Sequence, residues 1–195
     1  MSRRLSPEAR RAEIVKTARK LIAQEGYRSL SLREVARRCD MSAPGLMHHF
    51  PDMPSLLQAV LESRDEDDIA HILAAVPEAP SFEDVVEAAF TYYADDPEVA
   101  GFDALEAEAI DPSHPAHAYF VDRDDRVYQA MQPIIERQFD NPDRALTLLR
   151  VVMDGLRLRR MRDPENFSMR DGWLAVRDAV YAATPPRVKT GTRDR

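Results

Sequence analysis

The sequence predicts an all-α chain, and three observations carry that expectation. Among 195 residues there are six glycines against 14 prolines, and no alternation of apolar and polar residues is sustained. Apolar residues recur instead at three- and four-residue spacing. These periodic runs begin at Ser, Asp or Pro and stop at Gly or Pro, as helices do. The expected layout is a small N-terminal domain over residues 1–51, a larger helical domain over 52–183, and a tail, 184–195, with no core-forming pattern, which reads as disordered.

Taken in order, Ser6-Pro7 starts the first helix, with serine as cap and proline at the first helical position. Ile14, Ala18, Leu21 and Ile22 follow at helical spacing, and Gly26 stands where a C-terminal cap belongs. Ser31-Leu-Arg-Glu34 reads as a capping box, with Leu32, Val35, Ala36 and Cys39 forming one apolar face behind it. Asp40-Met41 makes a tight connection, and Ser42 caps a short third helix over Ala43–His49. Asp52 caps the fourth. Further helices are expected at about 52–75, 82–95, 97–110, 114–139, 142–162 and 169–183, separated by Pro77, Pro80, Pro97, Pro112, Pro115, Pro142 and Pro164. Pro133 should kink or split the long segment that contains it.

Charge divides the chain unevenly. Residues 1–50 hold eleven Lys/Arg and five Asp/Glu, a net +6, which leaves −13 on the remainder of a chain whose total is −7. A basic head on an acidic body can be oriented by a polyanion. No run approaches the roughly 18 apolar residues of a membrane span. MSRRLSPEARR carries no apolar signal core, and the single cysteine suits a reducing compartment, so a cytoplasmic location without membrane contact is expected.

Two short helices joined by a tight turn, the second lying in the major groove, form a helix-turn-helix. Leu46 and Phe50 fall on the buried side of that second helix. Ala43, Pro44, Gly45, Met47 and His48 fall on the exposed side. Ser31 and Ser42 lie at helix N-termini, where a hydroxyl, free N–H groups and the dipole all suit a phosphate. Arg3 and Arg4 read as a frayed basic tail, with a minor-groove contact as the alternative. His49 reads as half-buried packing, and Cys39 as a small core residue.

The stretch EGYRSLSLREVARRCDMSAPGLMHHFPDMPSLLQAVL resembles the DNA-binding domain of the TetR family of regulators. The likeness rests on Gly26-Tyr27, on Ser31, Arg33 and Ala36, on His48-His49-Phe50-Pro51, and on Leu56-Leu57, in that order. It is dense over residues 10–61. It implies an N-terminal three-helix helix-turn-helix DNA-binding domain plus a C-terminal helical ligand-binding and dimerisation domain. Double-stranded DNA is the implied partner, contacted by Ser31, Arg33, Ser42, Ala43, Pro44, Gly45, Met47 and His48. Three positions depart from the family's habit. Asp40 stands at a turn usually held by Gly, Met47 replaces a phosphate-contacting Tyr, and Met53 replaces a Lys. Since Ala43, Pro44 and Gly45 offer almost no hydrogen-bonding side chains, they suggest readout by contact with thymine methyls and by DNA shape, with His48 at a base edge or phosphate.

LEAEAIDPSHPAHAYF (105–120) and RVVMDGLRLRRMRDPENFSM (150–169) resemble one branch of the family's effector domains. The family resemblance implies a small-molecule effector. Candidate lining residues are Phe90, Tyr93, Phe102, Glu106, Tyr119, Phe120, Tyr128, Met131 and Met153, each of which ordinary core packing also explains. The apolar set on 145–161 is too wide for one stripe. With Trp173, Leu174, Val176, Val180 and Tyr181 it points to a homodimer through the last two helices, and hence to a palindromic site. A ligand-responsive repressor is the reading that results. Its rivals are a metal-dependent enzyme using His114 and His117, and a ligand-independent architectural DNA binder. The first rival lacks a nucleophile motif, a phosphate loop or an acid–base pair, and His114-Pro115 looks like a helix entry. No enzyme activity, metal or cofactor is expected.

Overall fold

The structure, a computed structural model, describes residues 6–187. The expectations for Arg3, Arg4 and residues 188–195 lie outside the described residues. Among the described residues the elements are helical and no strand is formed. They run α1 (Pro7–Glu25), a 3-10 turn (Tyr27–Ser29), α2 (Leu32–Arg38), α3 (Ala43–Met47), α4 (Met53–Ala75), α5 (Phe82–Ala94), α6 (Val99–Glu108), α7 (His117–Gln138), α8 (Pro142–Arg162) and α9 (Met169–Ala183). No helix among them is long and apolar enough to cross a membrane.

The helix ends obey the local chemistry. Ser6 accepts from the Ala9 N–H at 3.1 Å, and Gly26 closes α1 at φ 78°, its N–H donating to the Ile22 carbonyl. Ser42 accepts from the Gly45 N–H at 3.2 Å, and Asp52 from the Ser55 N–H at 2.8 Å. The expected capping box at α2 forms by half. Ser31 accepts from the Glu34 N–H, but the Glu34 carboxylate accepts from Arg37 (2.6 and 3.0 Å) and Arg38 (2.9 Å). A complete box appears at α5 instead: Ser81 Oγ accepts from the Asp84 N–H, and Asp84 accepts from the Ser81 N–H.

Two compact units result, each discontinuous in sequence. The first holds the described residues up to 74 together with 95–122; the second holds 75–94 and the chain from 123. This packing cut differs from the functional division expected at residue 51, for a physical reason. Leu56, Leu57, Val60 and Leu61 of α4, and Phe102 and Leu105 of α6, are buried in the same core as Ile14, Ile22, Val35 and Leu46. No apolar seam separates the first three helices from them. Gly101 marks how closely α6 lies on α1, since a Cβ there would stand 2.1 Å from the Ala23 carbonyl oxygen.

The second unit is built on Phe82, Val86, Ile135, Phe139, Ala145, Leu149, Leu156, Trp173 and Val180. Its aromatic rings meet edge to face, Phe82 on Trp173 at 5.8 Å and Trp173 on Tyr181 at 6.2 Å. Burial pushes the Tyr181 hydroxyl pKa well above its ordinary value. Two sequence expectations change in this unit. Pro133 does not split α7, which is helical throughout His117–Gln138. The proline forgoes one N–H bond to the preceding turn, while Met131, Ile134 and Ile135 around it remain packed on the core. The chain after α9 is also not free at once: Thr184 is buried, Pro186 pairs with Phe139, and the Arg187 N–H donates to the Gln138 carbonyl at 2.7 Å.

Candidate nucleic-acid interface

The short helices α2 and α3 are placed by side chains that leave the surface. Val35, Ala36 and Cys39 of α2, Leu46 of α3 and Phe50 beyond it are buried against Ile14, Ala18, Leu56 and Leu57. The link between the helices is pinned by the Met41 N–H, which donates to the Ala36 carbonyl at 2.9 Å. Asp40 takes φ 51°, the left-handed region that costs a non-glycine residue conformational energy. The Arg11 guanidinium lies 4.2 Å above the Phe50 ring and covers the end of this motif. Burial raises the Cys39 thiol pKa, as suits a core residue.

What this packing leaves outside is the candidate interface. Ser31, Arg33, Ser42, Pro44, Met47 and His48 are exposed. Each serine hydroxyl accepts from a backbone N–H and still has its own hydrogen to donate. Arg33 enters no ion pair among the described residues, whereas Arg37 and Arg38 are held by Glu34 and Glu25. The hydrogen bonds from Arg37, and then Arg38, hold the Glu34 carboxyl down at a pKa of about 2. Arg10, Arg19 and Arg28 are engaged by Glu13, by Glu98 with Asp67, and by Glu108. The head's +6 therefore overstates the number of cations ready for phosphate. Of the head's described cations, Lys16, Lys20 and Arg33 enter no ion pair among the described residues, nor does Arg11, which is taken up by the Phe50 ring.

Two residues expected on the exposed side are turned partly inward. Ala43 is half-buried against the head core, and Gly45 is half-buried beneath its own cap. A Cβ on Gly45 would meet Ser42 Oγ at 3.1 Å, so glycine keeps the cap close. His49 is half-buried as expected, its ring edge-on to that of His48.

Sequence reasoning missed a second charged site in the same unit. Arg64 of α4 is only 6% exposed, lies 2.7 Å from Asp96 and 3.5 Å from Asp68, and stacks 4.1 Å from the Phe102 ring. Glu98 of the same loop accepts from Arg19 of α1. Arg64 looks like one more solvated charge in a run, ESRDEDD, and only Asp96 and Phe102, distant in sequence, disclose its burial.

The effector candidates are not gathered within one unit. Phe102, Glu106, Tyr119 and Phe120 belong to the first unit, and Phe90, Tyr93, Tyr128, Met131 and Met153 to the second. Phe102 is core, and Tyr119 donates to Asp65. In the second unit Phe90, Met131 and Met153 pack against the apolar core, and Tyr128 lies under Arg150 at 4.4 Å, its hydroxyl pKa pushed up to about 12 by burial. The two histidines serve the fold at the start of α7. His117 Nδ1 lies 2.8 Å from the Ala109 carbonyl, and buried His114 accepts from the Ala116 N–H and packs edge-on against Tyr27. Burial lowers the His114 pKa, which favours a neutral ring. Among the described residues no three His, Cys, Asp or Glu side chains group to hold a metal.

A capped, three-helix head with one short exposed helix defines a helix-turn-helix protein. Residues 14–60 match the family described as bacterial regulatory proteins, tetR family. Over 48 residues it is 42% identical to the HTH-type transcriptional regulator YuxN of Bacillus subtilis (strain 168), a match spanning 25% of this chain and 16% of that protein. Its fold is similar to that of a tetR-family transcriptional regulator from Streptomyces coelicolor, at TM-score 0.73 and 20% identity, covering 92% of this chain and 83% of that one. It is also similar to SmeT in its triclosan complex, at TM-score 0.71 and 18% identity, covering 94% and 93%.

Proposed function

We propose that the chain is a ligand-responsive transcriptional repressor that binds a palindromic operator as a homodimer, in the cytoplasm. The observation that carries the reading is the outward face of α2 and α3. There Ser31, Arg33, Ser42, Pro44, Met47 and His48 are exposed, and Arg33 enters no ion pair among the described residues, which supports the reading. Val151 and Leu158 of α8 and Leu174 of α9 are exposed apolar side chains on helices whose other faces fill a core, which supports pairing with a second copy through α8 and α9. A triclosan complex of a similar fold supports a small-molecule effector.

The mechanism follows from rigid packing. α4 and α6 share their core with α1, and the Gly101–Ala23 contact leaves no slack between α6 and α1. A ligand that favours one placement of these helices shifts the head, and two heads must enter successive major grooves together. A mismatch of a few ångströms then removes simultaneous binding.

The test is binding of the full chain to DNA from upstream of its own gene, across a salt series. A specific site with steep salt dependence is expected, and small molecules that release it are to be screened on that complex. Arg33→Ala should weaken binding to every sequence and make the log–log salt slope shallower by about 1 per head. Finding no DNA bound above random sequence would overturn the reading.

A further inference from the structure

We infer that Met47 reads a thymine methyl in the major groove and is the main apolar specificity contact of α3. The inference rests on the helix-turn-helix reading above. The sequence suggested Ala43, Pro44 and Gly45 as the methyl-contacting surface, but the packing withdraws two of them: Ala43 is half-buried on the head core, and Gly45 lies under the Ser42 cap. Pro44 is exposed but short and rigid. Met47 is 51% exposed, unbranched and long enough to reach a groove floor. Leu46, its neighbour, is fully buried and fixes the helix rotation that turns Met47 outward.

The surroundings specify the kind of partner. No side chain on α3 carries a charge or a hydrogen-bonding group, so α3 itself has nothing to pair with a guanine or adenine edge. A long apolar side chain held out on a basic head is exposed at a cost, and covering it recovers hydrophobic free energy. In the major groove the apolar group that distinguishes one base from the others is the C5-methyl of thymine. Arg33 and the Ser31 and Ser42 caps would supply sequence-independent phosphate contacts, so discrimination falls to Met47 and His48.

The experiment selects bound sites from random duplex DNA with the full-length chain, then replaces each thymine of the selected site in turn with deoxyuridine. Deoxyuridine keeps the pairing edge and removes only the methyl. At one or two positions per half-site, wild type should lose about fourfold in affinity, as one buried methyl predicts. Met47→Ala, which leaves the core untouched, should bind thymine and deoxyuridine sites equally, while Arg33→Ala should weaken both and keep the difference. Pro44→Ala should also keep it. A selected site indifferent to every deoxyuridine, or discrimination that survives in Met47→Ala, overturns this inference alone. Failure to select any site overturns the DNA-binding reading beneath it.

Discussion

Arg33 and Arg64 belong to the same compact unit and differ in almost everything that decides what a cation is for. Arg33 stands exposed on α2 without an ion-pair partner among the described residues, two residues after the Ser31 cap. Arg64 is buried in α4 between Asp68 and Asp96, with an aromatic ring across its face. At the first site the protein forgoes internal pairing and keeps a cation available for an outside anion. At the second it neutralises the charge internally and uses it to tie α4 to the segment leading into α6. A positive residue count reports neither role, because Coulomb energy depends on what lies within a few ångströms.

The contrast can be broken at its inner end first. Arg64→Ala removes the buried cation between Asp68 and Asp96 and should cost about 3–5 kcal/mol of unfolding free energy in urea. A loss below 1 kcal/mol would mean that water reaches the site and that Arg64 is closer to Arg33 in kind. Next, Gly101→Ala drives a methyl into the Ala23 backbone and should cost about 1–3 kcal/mol, seen as a lowered midpoint of thermal unfolding. An unchanged midpoint would show that α6 can move off α1 freely.

At the outer end the expected effects are smaller. Asp40→Gly relieves a left-handed backbone but frees the unfolded chain, and the balance should favour stability by about 0.5 kcal/mol. Destabilisation instead would assign Asp40 a side-chain role in the turn. Glu34 gives a pH test of the paired cations beside Arg33. Its folded pKa, about 2, lies below its ordinary 4.5, so its contribution is present above pH 4.5 and is lost as pH falls towards 2. Glu34→Gln should therefore flatten the stability-against-pH curve in that window and lower it near neutrality, where the charged carboxylate contributes in the wild type. A curve identical to wild type would show that Arg37 and Arg38 do not hold the carboxylate in solution.

Much of the head was legible because its signals are local. Serine, asparagine and aspartate caps act within three residues, so Ser6, Ser31, Ser42 and Asp52 announce helix starts without reference to anything distant. The apolar period placed Leu46 and Phe50 inside and left Met47 and His48 outside. Where the outward face was misread, at Ala43 and Gly45, the deciding contacts came from the head core and from the cap itself. The half-formed box at α2 has a similar cause: Glu34 sits one helical turn from two arginines, and charge-assisted bonds outcompete a bond to a neutral N–H.

By itself, the sequence determined the all-helical class, the positions of the helices and the helix-turn-helix head, because capping and periodicity are written within a turn or two of each residue. Only the tertiary structure decided that α4 and α6 share a core with α1, that Arg64 is an interior charge and Arg33 a surface one, and that Ala43 is half-buried on the head core. Those facts depend on partners tens of residues away, such as Asp96 for Arg64 and Ala23 for Gly101. No local pattern encodes such pairings, because burial and Coulomb energy are set by distance in space.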